Sequence, residues 1–227
     1  MPAARALARL ANYDVLFVRH GNAPSSPDLP DLKRTLSEKG KNQCEAAARY
    51  LKEMPAPLAS FAISSPSKRA LETASIMLAG ADPQPAMVEI ESIYDVMLQP
   101  GASEIFQRIG YASLFAYMSD SDEMRDRLAA HGDQVIGALG ATVTAVAALD
   151  AVDGKAAKQD GQRQTLCVFG HAVYLGAAAL RLADLRAHDG DAKQKILQVN
   201  HPEAGALWVG GITSKVFTAE AFMLHHP

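Results

Sequence analysis

Two histidines and two arginines in this chain stand at or shortly after the ends of apolar segments. They are Arg19, His20, Arg69 and His171. A guanidinium presents a planar fork of N–H donors that matches phosphate oxygens, and imidazole can act as donor, acceptor or base. If the four side chains meet in space, they form a pocket suited to a phosphoryl group.

The apolar segments before these residues indicate buried strands. Strands are predicted at about 15–18, 58–64, 86–90 and 165–169, and helices are predicted between them. Such alternation favours a parallel sheet with right-handed crossovers, in which ligands bind beyond the carboxyl ends of the strands. We therefore expect the four side chains to lie together at one edge of the sheet.

Two helices should help to place these side chains. The first is predicted to follow Thr35, which has capping-box spacing to Glu38. The second is predicted to open at Pro66 and to carry Arg69 in its first turn. A cation gains nothing from the helix dipole at that end, and local conflicts of this kind tend to lie at functional sites.

The second half of the chain completes a single domain. Its predicted elements are helices at 101–118 and 121–149, an exposed loop at about 150–164, a helix at 172–182, a polar loop at 184–195, and strands at 206–209 and 212–216. Residues 1–227 should therefore form one three-layer α/β domain, with a mainly parallel sheet and helices on both faces. The helical insertion, about 101–150, is expected to cover the active-site edge.

Composition narrows the class of protein. With 48% hydrophobic residues, 21% charged residues and a net charge of −3, the chain gives no reason to expect nucleic acid or an anionic membrane as partner. No apolar run looks long enough to span a bilayer, and no metal-ligand spacing is present. Cys44 and Cys167 lie in apolar patterns, which favours a reducing compartment. We expect a cytoplasmic protein without cofactor or metal, and leave its oligomeric state open.

Four motifs, in order along the chain, resemble those of the histidine phosphatase superfamily, also called phosphoglycerate-mutase-like. They are R-H-G at 19–21, L-S-x-x-G at 36–40, S-S-P-x-x-R-A-x-x-T-A at 64–74, and G-H at 170–171. Each motif is weak or moderate alone, and together they are specific. The resemblance implies the phosphoglycerate-mutase-like form of the α/β fold.

The resemblance also implies roles for individual residues. His20 would be the nucleophile that becomes phosphorylated. Arg19, Arg69 and His171 would hold the phosphoryl oxygens, and Asn22 would line the pocket beside the nucleophile. Nearby cations disfavour protonation of a histidine, so these roles agree with a neutral, nucleophilic imidazole.

The general acid is less well defined by the resemblance. Glu91, three residues before Tyr94, stands where the mutases place a glutamate, and Asp95 is the alternative acid and a candidate substrate contact. The pattern from Tyr94 into a helix at 102–109 is closer to the small bacterial phosphohistidine phosphatases. Ser25 and Ser26, in the loop after the nucleophile, are further candidate substrate contacts.

These features predict a phosphatase that hydrolyses a phosphomonoester or phosphohistidine through a phosphohistidine intermediate on His20. Its substrate would be a small-molecule phosphate or a phosphoprotein. One alternative is a phosphoglycerate mutase, although the chain lacks the mutases' acid stretch. Another is a non-catalytic, phosphate-binding regulatory protein.

Overall fold

The computed structural model describes residues 2–94, 102–152, 162–211 and 214–217. The elements in chain order are α1 (Pro2–Arg9), β1 (Tyr13–Arg19), α2 (Glu38–Ala47), β2 (Phe61–Ser64), α3 (Lys68–Leu78), β3 (Ala86–Glu89), α4 (Ala102–Ile109), α5 (Leu114–Asp120), α6 (Asp122–Val152), β4 (Gln164–Gly170), α7 (Ala172–Leu185), α8 (Gly190–Gln198), β5 (Ala206–Val209) and β6 (Ser214–Phe217). Short 3₁₀ turns lie at Asp31–Lys33, Ala48–Glu53 and Glu91–Ile93.

The six strands form one sheet in the order β3-β2-β4-β1-β5-β6. Strands β1 to β4 run parallel to one another. Strand β5 is antiparallel to β1, and β6 is antiparallel to β5. The prediction of a mainly parallel sheet is confirmed. Arg19 pairs with Gly170 at the carboxyl ends of β1 and β4, so the residues that follow these two strands are neighbours.

Helices cover both faces of the sheet, and β1 is therefore buried along its whole length. Val15 and Phe17 pack on the side of α1 and α5 to α8, while Leu16 and Val18 pack on the side of α2 and α3. Side chains alternate between faces along a strand, so one strand supplies two cores. This confirms the predicted three-layer α/β architecture.

The two helices nearest the site begin slightly later than predicted. Thr35 is not the cap of α2; Ser37 is, and its Oγ accepts a hydrogen bond from the backbone N–H of Gly40 at 3.1 Å. A cap must directly precede the first helical turn, and Ser37 is the residue that does so. Helix α3 starts after Pro66 and carries Arg69 in its first turn, as predicted.

The single helix predicted over 101–118 is wrong. The chain breaks after α4 at Gly110, whose φ of +69° is a left-handed conformation that favours glycine. Ser113 then caps α5 by accepting a hydrogen bond from the backbone N–H of Ala116 at 3.3 Å. This break places residues 110–112 beside the cavity described below.

The polar loop predicted at 184–195 is also wrong. Helix α7 continues to Leu185, and α8 follows after Asp189, whose carboxylate accepts from the backbone N–H of Ala192 at 2.8 Å. Ala192 and Ile196, four residues apart, are the buried side of this short helix. Most of its other positions are polar and exposed, which hid the helical pattern.

The long helix α6 runs without interruption through Gly132, Gly137 and Gly140, although glycine weakens a helix. Gly132 packs against the backbone of Ala177 in α7, and Gly140 packs against Ala6 in α1. A side chain at either glycine would collide with these neighbours, so both permit close helix packing. The predicted loop after α6 lies largely outside the described residues, since 150–152 belong to the helix and description resumes at 162.

Length and composition alone would let α6 cross a bilayer. Its most apolar 18-residue window has a mean hydropathy of 1.9, and 28% of that window is buried. The expectation that no segment is long and apolar enough to span a bilayer is therefore wrong. In the fold, α6 packs against α1, α5 and α7.

Candidate active site

A cavity of about 650 Å³ lies at the edge of the sheet where β1 and β4 end. The structure brings Arg19, His20, Arg69 and His171 together on its wall. Arg19 and His20 follow from β1, His171 follows directly from β4, and Arg69 comes from the first turn of α3. Three junctions that are far apart in sequence thus meet at one place.

The hydrogen bonds of His20 define which ring nitrogen carries its proton. Nδ1 lies 2.7 Å from the carbonyl oxygen of Gly21 and can only donate to it, whereas Nε2 accepts from Nε of Arg69 at 3.1 Å. Burial, followed by the charge of Arg69, lowers the pKa of His20 to about 3. The imidazole is therefore neutral near pH 7, with the Nε2 lone pair in the cavity.

Arg69 links the two histidines. It is 2% exposed, and besides its bond to His20 it approaches Nδ1 of His171 through Nη2 at 3.3 Å. Its remaining donors go to Asp31: Nη1 to the backbone carbonyl at 2.6 Å and Nη2 to the carboxylate at 2.8 Å. Each nitrogen of the Arg69 guanidinium thus makes at least one hydrogen bond in this structure.

Asp31 is a site residue that the sequence reasoning missed. Tyr94 donates its hydroxyl proton to the Asp31 carboxylate at 2.6 Å, and Nη1 of Arg34 donates to it at 2.6 Å. Burial raises the pKa of Asp31, but the Tyr94 hydrogen bond and the charge of Arg69 outweigh it and lower the pKa to about 2. Asp31 is thus an anion facing Arg69. It lies in a proline-rich loop, and no sequence motif marks it.

Two serines hold His171 from behind. Nε2 of the imidazole lies 3.1 Å from Oγ of Ser65 and 3.5 Å from Oγ of Ser67. Because Nδ1 faces a donor, Arg69, the proton belongs on Nε2 and is donated to Ser65. Burial, followed by the charges of His20 and Arg69, lowers the pKa of His171 well below its ordinary value.

The guanidinium of Arg19 carries one buried N–H group, on Nε, that has no hydrogen-bond partner among the described residues. Arg19 is 6% exposed, and its Nη1 donates to the carbonyl of His201 at 2.6 Å, which fixes the side chain. A buried, unpaired guanidinium N–H is costly unless a ligand oxygen binds it. The Arg19 guanidinium also stacks at 5.4 Å from the ring centre of Tyr111.

Asn22 lines the cavity with both ends of its amide already engaged. Nδ2 donates to the Glu203 carboxylate at 2.8 Å, and Oδ1 accepts from the Ser37 hydroxyl at 2.7 Å. The amide therefore braces the wall next to His20. Glu203, which no motif marked, also lines the cavity.

The other predicted site residues are placed differently. Ser26 is exposed, and it is the neighbouring Ser25 that lines the cavity. Glu91 is exposed in a 3₁₀ turn and does not line the cavity, although Tyr94, three residues later, does. Asp95 lies outside the described residues. Among the described residues, no group of three or more His, Cys, Asp or Glu side chains could hold a metal ion.

Two glycines allow the nucleophile loop to touch α2. A Cβ on Gly21 would lie 2.6 Å from the carbonyl oxygen of Gly40, and a Cβ on Gly40 would overlap the carbonyl oxygen of Asn22. Both contacts involve backbone atoms, which cannot rotate away. The glycines at the end of R-H-G and of L-S-x-x-G are therefore required for the same close approach.

Comparisons with solved structures give long but remote alignments. The protein histidine phosphatase SixA, solved with tungstate, is 13% identical over 92% of this chain and 98% of that chain, with a TM-score of 0.47. Phosphoserine phosphatase of Entamoeba histolytica, solved with 3-phosphoglyceric acid, is 13% identical over 91% of this chain and 96% of that chain, with a TM-score of 0.48. A mycobacterial glucosyl-3-phosphoglycerate phosphatase is 17% identical over 91% of this chain and 98% of that chain, with a TM-score of 0.47.

The sequence comparison concerns the first part of the domain. No curated protein sequence matches the chain significantly. Residues 15–93 match the sequence profile of the histidine phosphatase superfamily (branch 1), and this segment contains β1 to β3 with three of the four motifs. The fourth motif, at 170–171, lies outside the match but adjoins His20 in space. The resemblance of this chain to the histidine phosphatase superfamily is thereby confirmed.

Proposed function

We propose that this chain is a phosphatase that hydrolyses a phosphomonoester or phosphohistidine through a phosphohistidine intermediate on His20. One observation carries the proposal: Nε2 of a half-buried, neutral His20 faces the cavity within hydrogen-bond distance of Arg69. A nucleophile needs an available lone pair, and a phosphoryl group needs cationic donors beside it. The Nε2 lone pair accepts a hydrogen bond from Arg69 in this structure, so it becomes available for attack when a phosphoryl oxygen takes over that N–H donor.

In the first step, Nε2 of His20 attacks phosphorus while the bond from phosphorus to the leaving group breaks. The proton stays on Nδ1, which donates to the Gly21 carbonyl oxygen, and this hydrogen bond stabilises the positive charge that develops on the imidazole. Arg69 and His171 lie beside the place where the phosphoryl oxygens would bind, and Arg19 lines the same cavity. Phosphoryl transfer depends mainly on such positioning and charge stabilisation.

In the second step, water attacks the phosphoryl group on His20, the N–P bond breaks, and inorganic phosphate leaves. The electron pair returns to Nε2, and the neutral imidazole is restored. The burial and cationic surroundings that lower the pKa of His20 also make it a good leaving group in this step.

Protonation of the leaving group is the part of the mechanism that the predicted residues support least. The exposed position of Glu91 does not support its role as the acid. Asp31 is anionic while it is paired with Arg69, so it carries no proton to donate in this arrangement. The site therefore favours leaving groups that need little protonation, such as imidazole or a phenolate.

The test is hydrolysis of p-nitrophenyl phosphate by the wild type and by His20→Ala, with Lys68→Gln as control. Lys68 is an exposed cation next to Arg69 in sequence and does not line the cavity. We expect the wild type and Lys68→Gln to turn over and His20→Ala to be inactive. Alkaline quenching and intact mass should show one added phosphoryl group on the wild type and on Lys68→Gln, and none on His20→Ala. Wild-type inactivity, or full activity of His20→Ala, would overturn the proposal.

The same samples separate the alternatives. A mutase would interconvert 2- and 3-phosphoglycerate faster than it releases inorganic phosphate. A regulatory protein would bind phosphate without any turnover. We expect phosphate release to dominate with every phosphate donor that reacts.

A further inference from the structure

The peptide group that follows His20 joins the imidazole to a side chain of α2. Its carbonyl oxygen, on Gly21, accepts the hydrogen bond from Nδ1 of His20 at 2.7 Å. Its N–H, on Asn22, donates to Oε1 of Gln43 at 2.8 Å. The acceptor that holds the proton of the nucleophile therefore has a hydrogen-bond partner of its own, on the opposite side of the same peptide group.

Gln43 extends this contact to a carboxylate. Its Nε2 donates to Oε2 of Glu203 at 3.1 Å, and Glu203 lies in the segment between α8 and β5. A backbone N–H can only donate and an ionised carboxylate can only accept, so the two neighbours of the Gln43 amide fix its orientation. We use the term relay for this series of four groups: the His20 imidazole, the peptide group of Gly21 and Asn22, the Gln43 amide and the Glu203 carboxylate.

All three hydrogen bonds of the relay point in the same direction. The imidazole donates to the peptide group, the peptide group donates to the Gln43 amide, and the amide donates to Glu203. Hydrogen bonds arranged in series polarise one another, and they are stronger inside a protein than in bulk water. An anion at the end of the series therefore makes the Gly21 carbonyl a stronger acceptor for the N–H of His20.

Glu203 is held as an anion in a fixed position. Its other oxygen, Oε1, accepts from Nδ2 of Asn22 at 2.8 Å. Burial raises the pKa of Glu203, but the hydrogen bonds from Asn22 and Gln43 outweigh it and lower the pKa below its usual value. Lys39 approaches the carboxylate at 3.5 Å, but its side chain is 68% exposed and water screens this pair. The negative charge of Glu203 is thus present near pH 7 and acts on the relay.

We propose that Gln43 and Glu203 are positioning residues that stabilise the positive charge which the His20 ring acquires when it is phosphorylated. The inference rests on the proposed function and adds to it two residues that act through the Gly21 carbonyl. When Nε2 attacks phosphorus, the N–P bond forms, the electron pair of the broken bond departs with the leaving group, and the ring becomes a cation. The proton stays on Nδ1 throughout, so the relay moves no proton and acts only through its polarisation.

A weaker relay should have opposite effects on the two chemical steps. The ring gains its charge when His20 is phosphorylated and loses it when water breaks the N–P bond. Loss of the Glu203 charge should therefore slow the first step and accelerate the second. A substitution that only loosens the packing around His20 gives no reason for a faster second step, so the direction of that change identifies the relay.

Glu203→Gln removes the charge and breaks the series of hydrogen bonds. The new amide has a single oxygen, so its nitrogen faces an N–H donor of either Asn22 or Gln43. Glu45→Gln is the matched control, because Glu45 is an exposed carboxylate on α2, two residues from Gln43, and its loss changes the net charge equally. Thermal unfolding of both variants checks that the fold is kept.

Two measurements with saturating p-nitrophenyl phosphate give the rate constants of both steps. Alkaline quenching and intact mass give the fraction of protein that carries a phosphoryl group, and steady-state turnover gives kcat. Dividing kcat by this fraction gives the rate constant of hydrolysis, and dividing kcat by the remaining fraction gives that of phosphorylation. In Glu203→Gln we expect roughly three- to tenfold slower phosphorylation, faster hydrolysis and a lower phosphorylated fraction. Glu45→Gln should match the wild type.

Nitrogen-15 NMR of histidine-labelled protein tests the relay without any turnover. The shift of each ring nitrogen reports whether it carries a proton and how strongly that N–H is hydrogen-bonded, and loss of the signal in His20→Ala assigns it. At neutral pH and without substrate, we expect His20 to be protonated on Nδ1 in the wild type. Glu203→Gln should move this Nδ1 resonance, and Glu45→Gln should not.

Exchange of the two side chains should restore the relay. In the double variant Gln43→Glu with Glu203→Gln, the carboxylate accepts from the Asn22 N–H and from the new amide, whose oxygen accepts from Nδ2 of Asn22. Every donor again meets an acceptor, and the anion lies one group closer to His20. We expect the phosphorylated fraction to return at least to the wild-type value. The double variant also decides the question if Glu203→Gln alone folds poorly.

The outcomes separate this inference from the proposed function. An unmoved Nδ1 resonance in Glu203→Gln, a phosphorylated fraction that does not fall, or slower hydrolysis of the phosphoryl group would overturn the relay and leave the phosphatase standing. No recovery in a folded double variant would do the same. Absence of turnover, with no phosphoryl group on His20 in the wild type, would instead overturn the proposed function.

Discussion

The Asp31 carboxylate binds the Arg69 guanidinium at 2.8 Å, on a guanidinium that also contacts both histidines. Arg69 is 2% exposed, and the two N–H donors of its Nη2 face Asp31 and His171. A phosphoryl oxygen that binds Nη2 of Arg69 must therefore displace Asp31 or share the donor with it. The site holds its own competing anion.

Asp31→Asn should tighten the binding of inorganic phosphate or vanadate, because the amide keeps the shape but not the charge. We expect roughly a two- to fivefold lower Kd, the scale of one partly screened charge pair. Isothermal titration calorimetry at constant pH and salt measures it. Asp28→Asn, an exposed carboxylate in the same loop, is the control. Weaker binding by Asp31→Asn would mean that Asp31 orients Arg69 rather than competing for it.

Arg69→Ala should cost on the order of 10²–10³ in kcat, as the loss of a preorganised donor does in other enzymes. Arg69→Lys should recover little of this, since an ammonium cannot contact both histidines as the fork does. Lys68→Ala, one residue earlier and exposed, should keep normal turnover. The measurement is steady-state hydrolysis of p-nitrophenyl phosphate. Near-normal kcat in Arg69→Ala would show that this arginine only supports the fold.

His131 should make the fold less stable in acid. It is 4% exposed, neither ring nitrogen has a hydrogen-bond partner among the residues that the structure describes, and burial lowers its pKa from 6.5 to about 4. Between these values the unfolded chain binds more protons than the folded one, so stability is complete above pH 6.5 and falls as the pH decreases towards 4. At about 1.4 kcal/mol per pKa unit, the loss from this residue is about 3 kcal/mol at pH 4.

Denaturant unfolding of His131→Phe over this pH range checks the assignment. Phenylalanine keeps a ring against Tyr174 but cannot be protonated. The variant should show a shallower decline of unfolding free energy between pH 6.5 and 4 than the wild type. His201, whose pKa is also lowered to about 4, should account for part of the remaining slope. Identical slopes for variant and wild type would exclude His131 as the cause.

Gly40→Ala should disrupt the site through the backbone. The added methyl group would overlap the carbonyl oxygen of Asn22, so Asn22 and the loop after His20 must shift. We expect a lower Tm and a large loss of kcat. Gly137→Ala, in the middle of α6, is the matched control, because a Cβ there would lie more than 4 Å from every described atom outside the helix's own backbone. This substitution should stabilise the protein by about 0.5–1 kcal/mol. An active, stable Gly40→Ala would show that the backbone contact is dispensable.

The positions of site residues could be predicted from the sequence where each residue directly follows a recognisable strand. The buried apolar run of β1 leads directly into Arg19 and His20, and the buried run of β4 leads directly into His171. Each functional residue could therefore be located from the strand that precedes it. Parallel pairing of these strands then brings the two histidines together, with ring centres 5.3 Å apart. The motif residue Arg69 reaches them because α3 starts at the same edge of the sheet.

The sequence was uninformative where a contact joins distant segments. Asp31 faces Arg69 across 38 residues and Tyr94 across 63, and an aspartate in a proline-rich loop gives no sign of either contact. Glu203 contacts Asn22 across 181 residues. Glu91 was assigned by its spacing to Tyr94, but the 3₁₀ turn between them points only Tyr94 into the cavity.

The loop after the nucleophile begins and ends at almost the same point. The backbone N–H of Ser37 donates to the carbonyl of Asn22 at 2.9 Å, and the Ser37 hydroxyl donates to the Asn22 side chain. Residues 23–36 are thus an excursion whose two ends are fastened beside His20. The entropy of closing such a loop rises only slowly with its length. Insertions and deletions at its exposed tip can therefore reshape one wall of the cavity while the nucleophile stays in place, which makes this loop the natural place to redesign substrate choice.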